Sequence, residues 1–183
     1  MNRLGHEQKK SILSRMVPPF FMETLLLYLF TFVKIPSVFF TRPKIVALDE
    51  SHAVIRIPLS RRTRNHIKVM YMGVLVMGAD LACGILATVA FRRLGVKPVL
   101  LFSDISARFL KRAEGDVHFT CAEGQTIEDM VSEAARTGER VTRPVKITAT
   151  VPAIDKQEPV AEFELGLTLK LKPGSGKNKN HST

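Results

Sequence analysis

An apolar run at residues 69–91, VMYMGVLVMGADLACGILATVAF, carries one charged side chain, Asp80, near its middle. Burying a carboxylate costs several kcal/mol, so the chain either uses Asp80 or satisfies it with hydrogen bonds from the backbone, a Ser or a Thr. The run is long enough to cross a bilayer at about 1.5 Å per residue. However, inserting an aspartate at a helix centre costs roughly 2.5–3.5 kcal/mol, and strand-like patterns flank the run on both sides. We therefore expect a helix buried within a folded domain, with an integral membrane protein as the alternative.

The charge of the chain is concentrated at its two ends. The 183 residues carry a formal net charge of +10, with four basic residues and one acidic residue in residues 1–15 and three basic residues in residues 172–183. The remainder is mildly basic and shows no basic face interleaved with aromatic side chains, so we expect no nucleic-acid partner. The 45% of hydrophobic residues and 24% of charged residues are typical of a folded domain.

The two cysteines, Cys83 and Cys121, stand far apart in apolar surroundings. Metal sites need closely spaced cysteines, and disulfide scaffolds are short and rich in cysteine. We therefore expect two reduced, buried thiols, no metal site and a cytoplasmic protein.

Alternating apolar residues predict six strands around two helices. The strands fall at residues 44–48, 53–59, 99–110, 117–121, 141–151 and 161–172. Besides the long apolar run, a second helix is predicted at residues 126–138, where Thr126 and Asp129 resemble a helix cap. The order β-β-α-β-β-α-β-β favours an α+β fold in which a curved antiparallel sheet wraps the long helix. Small residues such as Gly78 would let the sheet approach that helix closely.

A second apolar stretch, FFMETLLLYLFTFV, occupies residues 20–33. It is shorter than the ~20 residues that a membrane span needs, and no signal-peptide cleavage site follows it. We expect a helix that docks on the domain or on a partner, or that lies at a membrane surface beside the preceding basic residues. The predicted organisation is a helical leader over residues 1–42, a domain over residues 43–172 and a disordered basic tail over residues 173–183.

The layout of strands and helices is similar to the hotdog fold. Paa-type acyl-CoA thioesterases of that superfamily carry an Asn before the central helix, a His-Gly-Gly at its start and an Asp about two turns inside. The residues at these places here are Asn65, Tyr71, Met72, Gly73 and Asp80. Residues 61–84 and 109–115 resemble still more closely an uncharacterised, thioesterase-like branch with the motif N-x-x-G-x-x-F-G-G. The resemblance covers about residues 44–172.

Three positions depart from the pattern of the family. Its His is Tyr71, its first Gly is Met72, and the earlier Gly of the branch is Lys68. A backbone N–H is still present at Met72, but the methionine side chain would crowd a pocket that glycine leaves open. These departures favour, as an alternative, a non-catalytic hotdog protein that binds acyl-CoA or lipid.

The resemblance implies an acyl-CoA thioesterase-like hydrolase that forms a homodimer or a dimer of dimers. Asp80 would act as general base or as nucleophile, and Asn65 would orient the water or the carbonyl. The N–H of Met72 or Gly73 would hold the developing oxyanion, and Asp80 would face the Asn65 or Met72 of the other subunit. Coenzyme A would enter as part of the substrate, with no resident cofactor. Its phosphates would meet basic side chains that otherwise form a solvated rim: Arg64, Lys68, Lys111 and Arg112.

Overall fold

One antiparallel sheet of six strands packs on a long central helix in the computed structural model, which describes residues 20–171. The helices are α1 (Phe21–Lys34), α2 (Pro36–Phe40), α3 (Met72–Leu94) and α4 (Gly124–Thr137). The strands are β1 (Lys44–Leu48), β2 (Ala53–Ile57), β3 (Pro98–Phe109), β4 (Val117–Cys121), β5 (Val141–Val151) and β6 (Asp155–Leu171). The expected α+β, hotdog-like fold is confirmed. The basic stretch at residues 1–15 and the tail at residues 173–183 lie outside the described residues.

The strand order across the sheet is β1-β2-β4-β5-β6-β3, and every neighbouring pair is antiparallel. Strands β1 and β3 are therefore the two edges. Strand β4 has the burial pattern that period-two alternation predicts, because Val117, Phe119 and Cys121 are buried and the residues between them are not. A register shift between Phe102 and Ile105 interrupts the pairing of β3 with β6.

The helix α3 lies close to the sheet because small residues permit the approach. A side-chain carbon at Gly78 would come within 2.3 Å of the Phe119 ring, so glycine is required where the helix backbone meets this ring. The helix ends, as expected, at Gly95, whose φ of 67° is the left-handed conformation that closes many helices. The buried residues of α3 are Val74, Leu75, Gly78, Ala79, Leu81, Ala82, Cys83, Leu86 and Ala87.

Among residues 20–171, α3 is the one helix that is long and apolar enough to cross a membrane. The core helix of a folded domain can have the same length and composition. Here α3 contacts four strands of the sheet, β2, β4, β5 and β6, and also α4. This packing favours the sheet-wrapped helix over the integral-membrane alternative.

The starts of α4 and β6 and the end of β2 differ from the sequence-based expectation, since β2 ends at Ile57 and not at residue 59. The helix α4 begins at Gly124, so Thr126 is not its cap; the Thr126 hydroxyl instead donates a 2.8 Å hydrogen bond to the Glu123 carboxylate. Gly124 is needed at this start because a side chain would meet the carbonyl oxygen of Glu50 at 2.1 Å. Strand β6 begins at Asp155 rather than at residue 161. The added segment, DKQEPV, shows no alternation of apolar and polar residues, but it pairs with β5 in an irregular register.

The helix α1 packs on the domain through one side only. The backbone N–H of Ile45 in β1 donates a 3.2 Å hydrogen bond to the hydroxyl of Thr24 in α1. Leu27 and Thr31 are the buried residues of the helix. The remaining apolar side chains of α1 face outward.

Candidate active site

Asp80 lies in the middle of α3, at the boundary between the face that the sheet covers and the face that it leaves open. Its neighbours Ala79 and Leu81 are buried, whereas Asp80 itself is half-buried. One turn further along the helix, a side-chain carbon built at Gly84 would meet nothing within 4 Å, so this part of the helix is uncovered. The carboxylate is therefore partly removed from water and still accessible from one side.

The Asp80 carboxylate has no protein partner in the part of the chain that the structure describes. Burial raises its pKa above the ordinary value of 3.8, and no hydrogen bond or cation from residues 20–171 lowers it again. The alternative in which the backbone, a Ser or a Thr satisfies this carboxylate is thus not observed there. A half-buried acid without a partner is costly, and such groups concentrate at functional sites.

The start of α3 presents two unused backbone donors. The residue before the helix, Tyr71, has an extended backbone, and its carbonyl oxygen accepts hydrogen bonds from Val74 N (2.9 Å) and Leu75 N (3.1 Å). The N–H groups of Met72 and Gly73 donate to no acceptor among the described residues. Such orphan donors, together with the positive end of the helix dipole, favour an oxygen atom that carries negative charge.

The Tyr71 side chain partly covers this helix start. A side-chain carbon at Gly73 would come within 2.6 Å of the Cε1 atom of the Tyr71 ring, so the ring lies against the backbone of Gly73. Tyr71 is 53% exposed and Met72 is 56% exposed, so neither side chain is held by the core. The Tyr71 ring therefore lies at the Cα of Gly73 without being packed in the core.

Asn65 shapes the loop that precedes α3. Its Oδ1 accepts hydrogen bonds from Ile67 N (3.0 Å) and Val69 N (3.3 Å), and its own N–H donates to Val69 O (2.8 Å). The side-chain oxygen is therefore used locally, whereas the Nδ2 amino group donates to no residue in the described range. The same loop contains Lys68 with a φ of 67°, a conformation that favours glycine.

Thr63 is a residue of this region whose role the sequence analysis missed. It is buried, its hydroxyl donates to Pro58 O (2.6 Å), and its hydroxyl oxygen accepts from Ser60 N (2.8 Å). Its carbonyl oxygen accepts a 2.8 Å hydrogen bond from Tyr71 N. Thr63 therefore fixes the loop to the start of α3. The sequence does carry a signal for this role, because the spacing of Ser60 and Thr63 is typical of a turn closed by a hydroxyl group.

The basic residues proposed to meet phosphates fall in two segments that the fold brings together. Met70 N donates a 3.0 Å hydrogen bond to Ala113 O, which joins the loop before α3 to the turn after β3. Lys111 forms an ion pair with Glu158 across this turn. All of the basic residues in question are exposed: Arg64, Lys68, Lys111 and Arg112.

Two surface cavities of the described residues lie away from Asp80. A cavity of about 480 Å³ lies at the other end of α3, where Thr88, Phe91 and Val96 contribute to its wall. A second, of about 370 Å³, lies over β3, β5 and β6, where Ser106 and Lys146 contribute to its wall. Within residues 20–171, neither of these cavities encloses Asp80, which lies on an open face.

Three solved structures show the likeness of this fold to known proteins. A protein of unknown function from Chlorobaculum tepidum superposes with a TM-score of 0.72 at 13% identity, over 85% of this chain and 98% of its own. A probable thioesterase from Pseudomonas aeruginosa gives a TM-score of 0.68 at 24% identity, over 81% and 96%. A thioesterase family protein from Silicibacter pomeroyi gives 0.58 at 15% identity, over 81% and 99%. At these identities the likeness establishes the fold alone.

The sheet-wrapped helix and these structural neighbours define the class by its fold: this is a hotdog-like α+β protein, similar in structure to a probable thioesterase. Within that class the chain belongs to the family described as Domain of unknown function (DUF4442), which matches residues 24–168. The match begins inside α1, so most of that helix lies within the region the family shares. No curated protein matches the sequence.

Proposed function

We propose that this protein is a hydrolase that cleaves the thioester bond of an acyl-CoA. The observation that carries the proposal is the half-buried carboxylate of Asp80, which has no partner among the described residues and whose pKa is raised by burial. A carboxylate with a raised pKa is a stronger base, and one without a partner is available to a water molecule or a substrate.

In the proposed reaction, ionised Asp80 removes a proton from a water molecule as the water oxygen attacks the thioester carbonyl carbon. The carbonyl oxygen takes up negative charge and is held by the free N–H groups of Met72 and Gly73. The C–S bond then breaks, the carboxylic acid forms, and the proton held by Asp80 passes to the thiolate of coenzyme A. In the nucleophilic form of this mechanism, the Asp80 carboxylate attacks the carbonyl carbon and the C–S bond breaks, which releases the thiolate of coenzyme A and leaves a mixed anhydride. Water then hydrolyses the anhydride to the carboxylic acid and the Asp80 carboxylate, and the proton released goes to the thiolate. The Nδ2 group of Asn65 orients the water or the carbonyl.

The spacing along α3 supports a site shared between two copies of the chain. Asp80 lies seven residues beyond Gly73, which corresponds to about 10 Å along the helix axis. A base and an oxyanion donor that act on one carbonyl must each reach it over about 3 Å or through one water. We therefore propose that Asp80 faces the amides of Met72 and Gly73 in a second copy.

The free edge of β3 supports dimerisation through this strand. Strand β3 has 12 residues and pairs only with β6 in the sheet, which leaves its other edge without a backbone partner among the described residues. A long, apolar edge of this kind favours pairing with another strand. We propose a homodimer, or a dimer of dimers, in which β3 contacts a second copy. Its exposed apolar residues are Val99, Leu101, Ile105 and Phe109.

Four exposed basic residues are the proposed contacts for the phosphates of coenzyme A. Arg64 and Lys68 lie in the loop before α3, and Lys111 and Arg112 lie in the turn after β3. The ion pair of Lys111 with Glu158 would be exchanged for a phosphate contact when the substrate binds. Coenzyme A is part of the substrate in this proposal, and no resident cofactor is invoked. The proposed location is the cytoplasm, because Cys83 and Cys121 are buried free thiols, as a reducing compartment favours.

A second candidate function is binding of acyl-CoA or lipid without turnover. The observation that favours it is the Tyr71 ring, which lies against the backbone of Gly73 at the helix start where an oxyanion would bind. In this case the protein would hold the acyl group, while the water and carbonyl would never reach their reactive positions.

Incubation of the full chain with a panel of acyl-CoAs of increasing chain length separates the two functions. Release of free thiol, followed with a thiol-reactive dye, supports the hydrolase and refutes binding alone. A rise in melting temperature with an acyl-CoA but no thiol release supports the binding protein and refutes the hydrolase.

A further inference from the structure

The outward side of α1 presents a largely exposed apolar surface, in which the Phe32 ring contacts the Phe39 ring of α2 at a centroid distance of 5.1 Å. At about 100° per residue, its exposed apolar side chains span an arc of about 180° around the helix. The two charged residues of α1, Glu23 and Lys34, lie outside this arc, between it and the buried side. We call this surface the α1 apolar face; it consists of Phe21, Met22, Leu25, Leu26, Leu29, Phe30, Phe32 and Val33.

The α1 apolar face is larger than the exposed apolar patches that folded monomeric proteins normally carry. Leu29 and Val33 near its centre are 63% and 62% exposed, and each of the eight side chains is at least half exposed. Contiguous apolar patches above a few hundred Å² mark sites of interaction with another surface. The face is therefore a candidate site of contact with another surface.

Basic residues outnumber acidic residues in α1, in the residues that follow it and in the loop before α3. The guanidinium of Arg62 lies 4.9 Å from the centre of the exposed Phe40 ring in α2, which ties the basic loop before α3 to the helical pair. In residues 20–48 and 58–72 the one acidic residue is Glu23, against seven basic residues. None of the seven forms an ion pair with another described residue: Lys34, Arg42, Lys44, Arg61, Arg62, Arg64 and Lys68.

We propose that α1 is an interfacial helix through which the protein docks on an anionic lipid surface. An amphipathic helix with an apolar side and flanking cations binds such a surface by inserting its apolar side chains and attracting the headgroups. The 14 residues of α1 measure about 21 Å, which is shorter than the ~30 Å hydrocarbon core. The helix therefore lies in the plane of the surface and does not cross it.

The proposed β3 dimer leaves this face free. Helix α1 packs on β1, at the opposite edge of the six-stranded sheet from β3, so the two surfaces are separated by about 24 Å at the usual strand spacing. A partner helix would also cover a narrower stripe than an arc of about 180°. Lipid docking is therefore independent of both dimerisation and the proposed hydrolysis.

Flotation of the full-length protein with lipid vesicles tests the proposal. The protein is expected to float with vesicles of phosphatidylcholine mixed with phosphatidylglycerol, and to float less when salt is raised or when the vesicles are pure phosphatidylcholine. The double variant L29Q/V33Q is expected to partition about tenfold less. Its matched control is I154Q, because Ile154 is 65% exposed in the turn between β5 and β6 and lies outside the face.

The charge contribution is tested with R61Q/R62Q, which removes two cations from the loop before α3. Partitioning onto the anionic vesicles is expected to fall about fivefold for each arginine removed, with R136Q/R140Q as the control.

Two results would overturn the docking proposal. One is a full-length protein that never floats with anionic vesicles, as expected if residues 1–19 or a second copy covered the α1 apolar face. The other is equal partitioning of L29Q/V33Q and I154Q. If L29Q/V33Q instead converts a dimer to a monomer in sedimentation velocity without changing flotation, the occupant is a second copy and not lipid. Thiol release is measured in parallel without vesicles, so a failure of hydrolysis is recorded separately.

Discussion

The ring of Phe119 in β4 lies directly against the backbone of Gly78 in α3, two residues before Asp80. Phe119 is fully buried, so it cannot withdraw if the helix changes its position. This contact sets both the distance of α3 from the sheet and the rotation that leaves Asp80 at the edge of the open face. The candidate site therefore depends on packing by residues that touch no substrate.

Replacing Gly78 by alanine is expected to destabilise the fold by about 1–3 kcal/mol, because the new methyl group must displace the Phe119 ring. The control is Gly84→Ala in the same helix, where a side-chain carbon meets nothing within 4 Å. That variant is expected to gain up to about 1 kcal/mol from the higher helix propensity of alanine. Urea denaturation measures both changes, and equal stability of the two variants would contradict the proposed packing.

Lys68→Gly is expected to stabilise the protein by about 0.5–1 kcal/mol. Lys68 has a φ of 67°, where its Cβ is strained and a glycine is not. The neighbouring Ile67 is 53% exposed and has no such φ, so Ile67→Gly serves as the control and is expected to destabilise through the added freedom of the unfolded chain. Thermal melts of the two variants should move in opposite directions from the wild type.

Asp80→Asn is expected to become increasingly more stable than the wild type as the pH rises from about 4 toward neutral. The pKa of Asp80 in the folded state is raised above 3.8, so the folded protein binds the proton more tightly than the unfolded chain. The wild type therefore loses stability as the pH rises through that raised pKa, by about 1.4 kcal/mol for each unit of elevation, and the asparagine variant does not.

The control for this pH dependence is Glu139→Gln, at an exposed carboxylate between α4 and β5. That variant removes one surface carboxylate and leaves Asp80 in place, so it shows what the loss of a charge alone does to stability. If the difference between Asp80→Asn and the wild type does not grow as the pH rises, the carboxylate is not desolvated in the folded protein.

Leu101→Lys is expected to convert a dimer to a monomer and to reduce thiol release with it. Leu101 is 53% exposed on the edge strand β3, where a lysine opposes pairing with another strand. Ile154→Lys is the matched control in a turn at a distance from that edge. Sedimentation velocity measures the state of association, and a wild type that is already a fully active monomer would refute the shared site.

Period-two alternation in the sequence was sufficient to locate most of the sheet. The bounds of β1, β4 and β5 agree with the sequence-based ranges. In β4 and in most of β5, buried and less buried residues alternate, whereas β1 loses this alternation after a register shift between Ile45 and Ala47. The first part of β6 was missed because residues 155–160 pair through irregular register with β5 and do not alternate. The start of α4 was misplaced because it is set by the backbone fit of Gly124 against Glu50, which leaves no periodic signal.

The candidate site was only partly accessible from the sequence. The isolation of Asp80 in an apolar run predicted a buried acid, and the structure adds that it has no partner among the described residues. The sequence could not indicate that the oxygen of Asn65 closes its own loop, or that the Tyr71 ring lies against Gly73, since both depend on side-chain conformation. Whether the roles proposed for Asn65, Met72, Gly73 and the basic residues hold stays a prediction.

The most direct test of the proposed hydrolase is the rate of thiol release by wild type and Asp80→Asn, measured with the acyl-CoA that the wild type cleaves fastest. Asparagine keeps the size of the side chain and removes the base, so the rate is expected to fall by roughly 10²–10⁴-fold, while Glu139→Gln stays at the wild-type rate. Equal rates for the wild type and a folded Asp80→Asn would contradict the role of this carboxylate in the reaction.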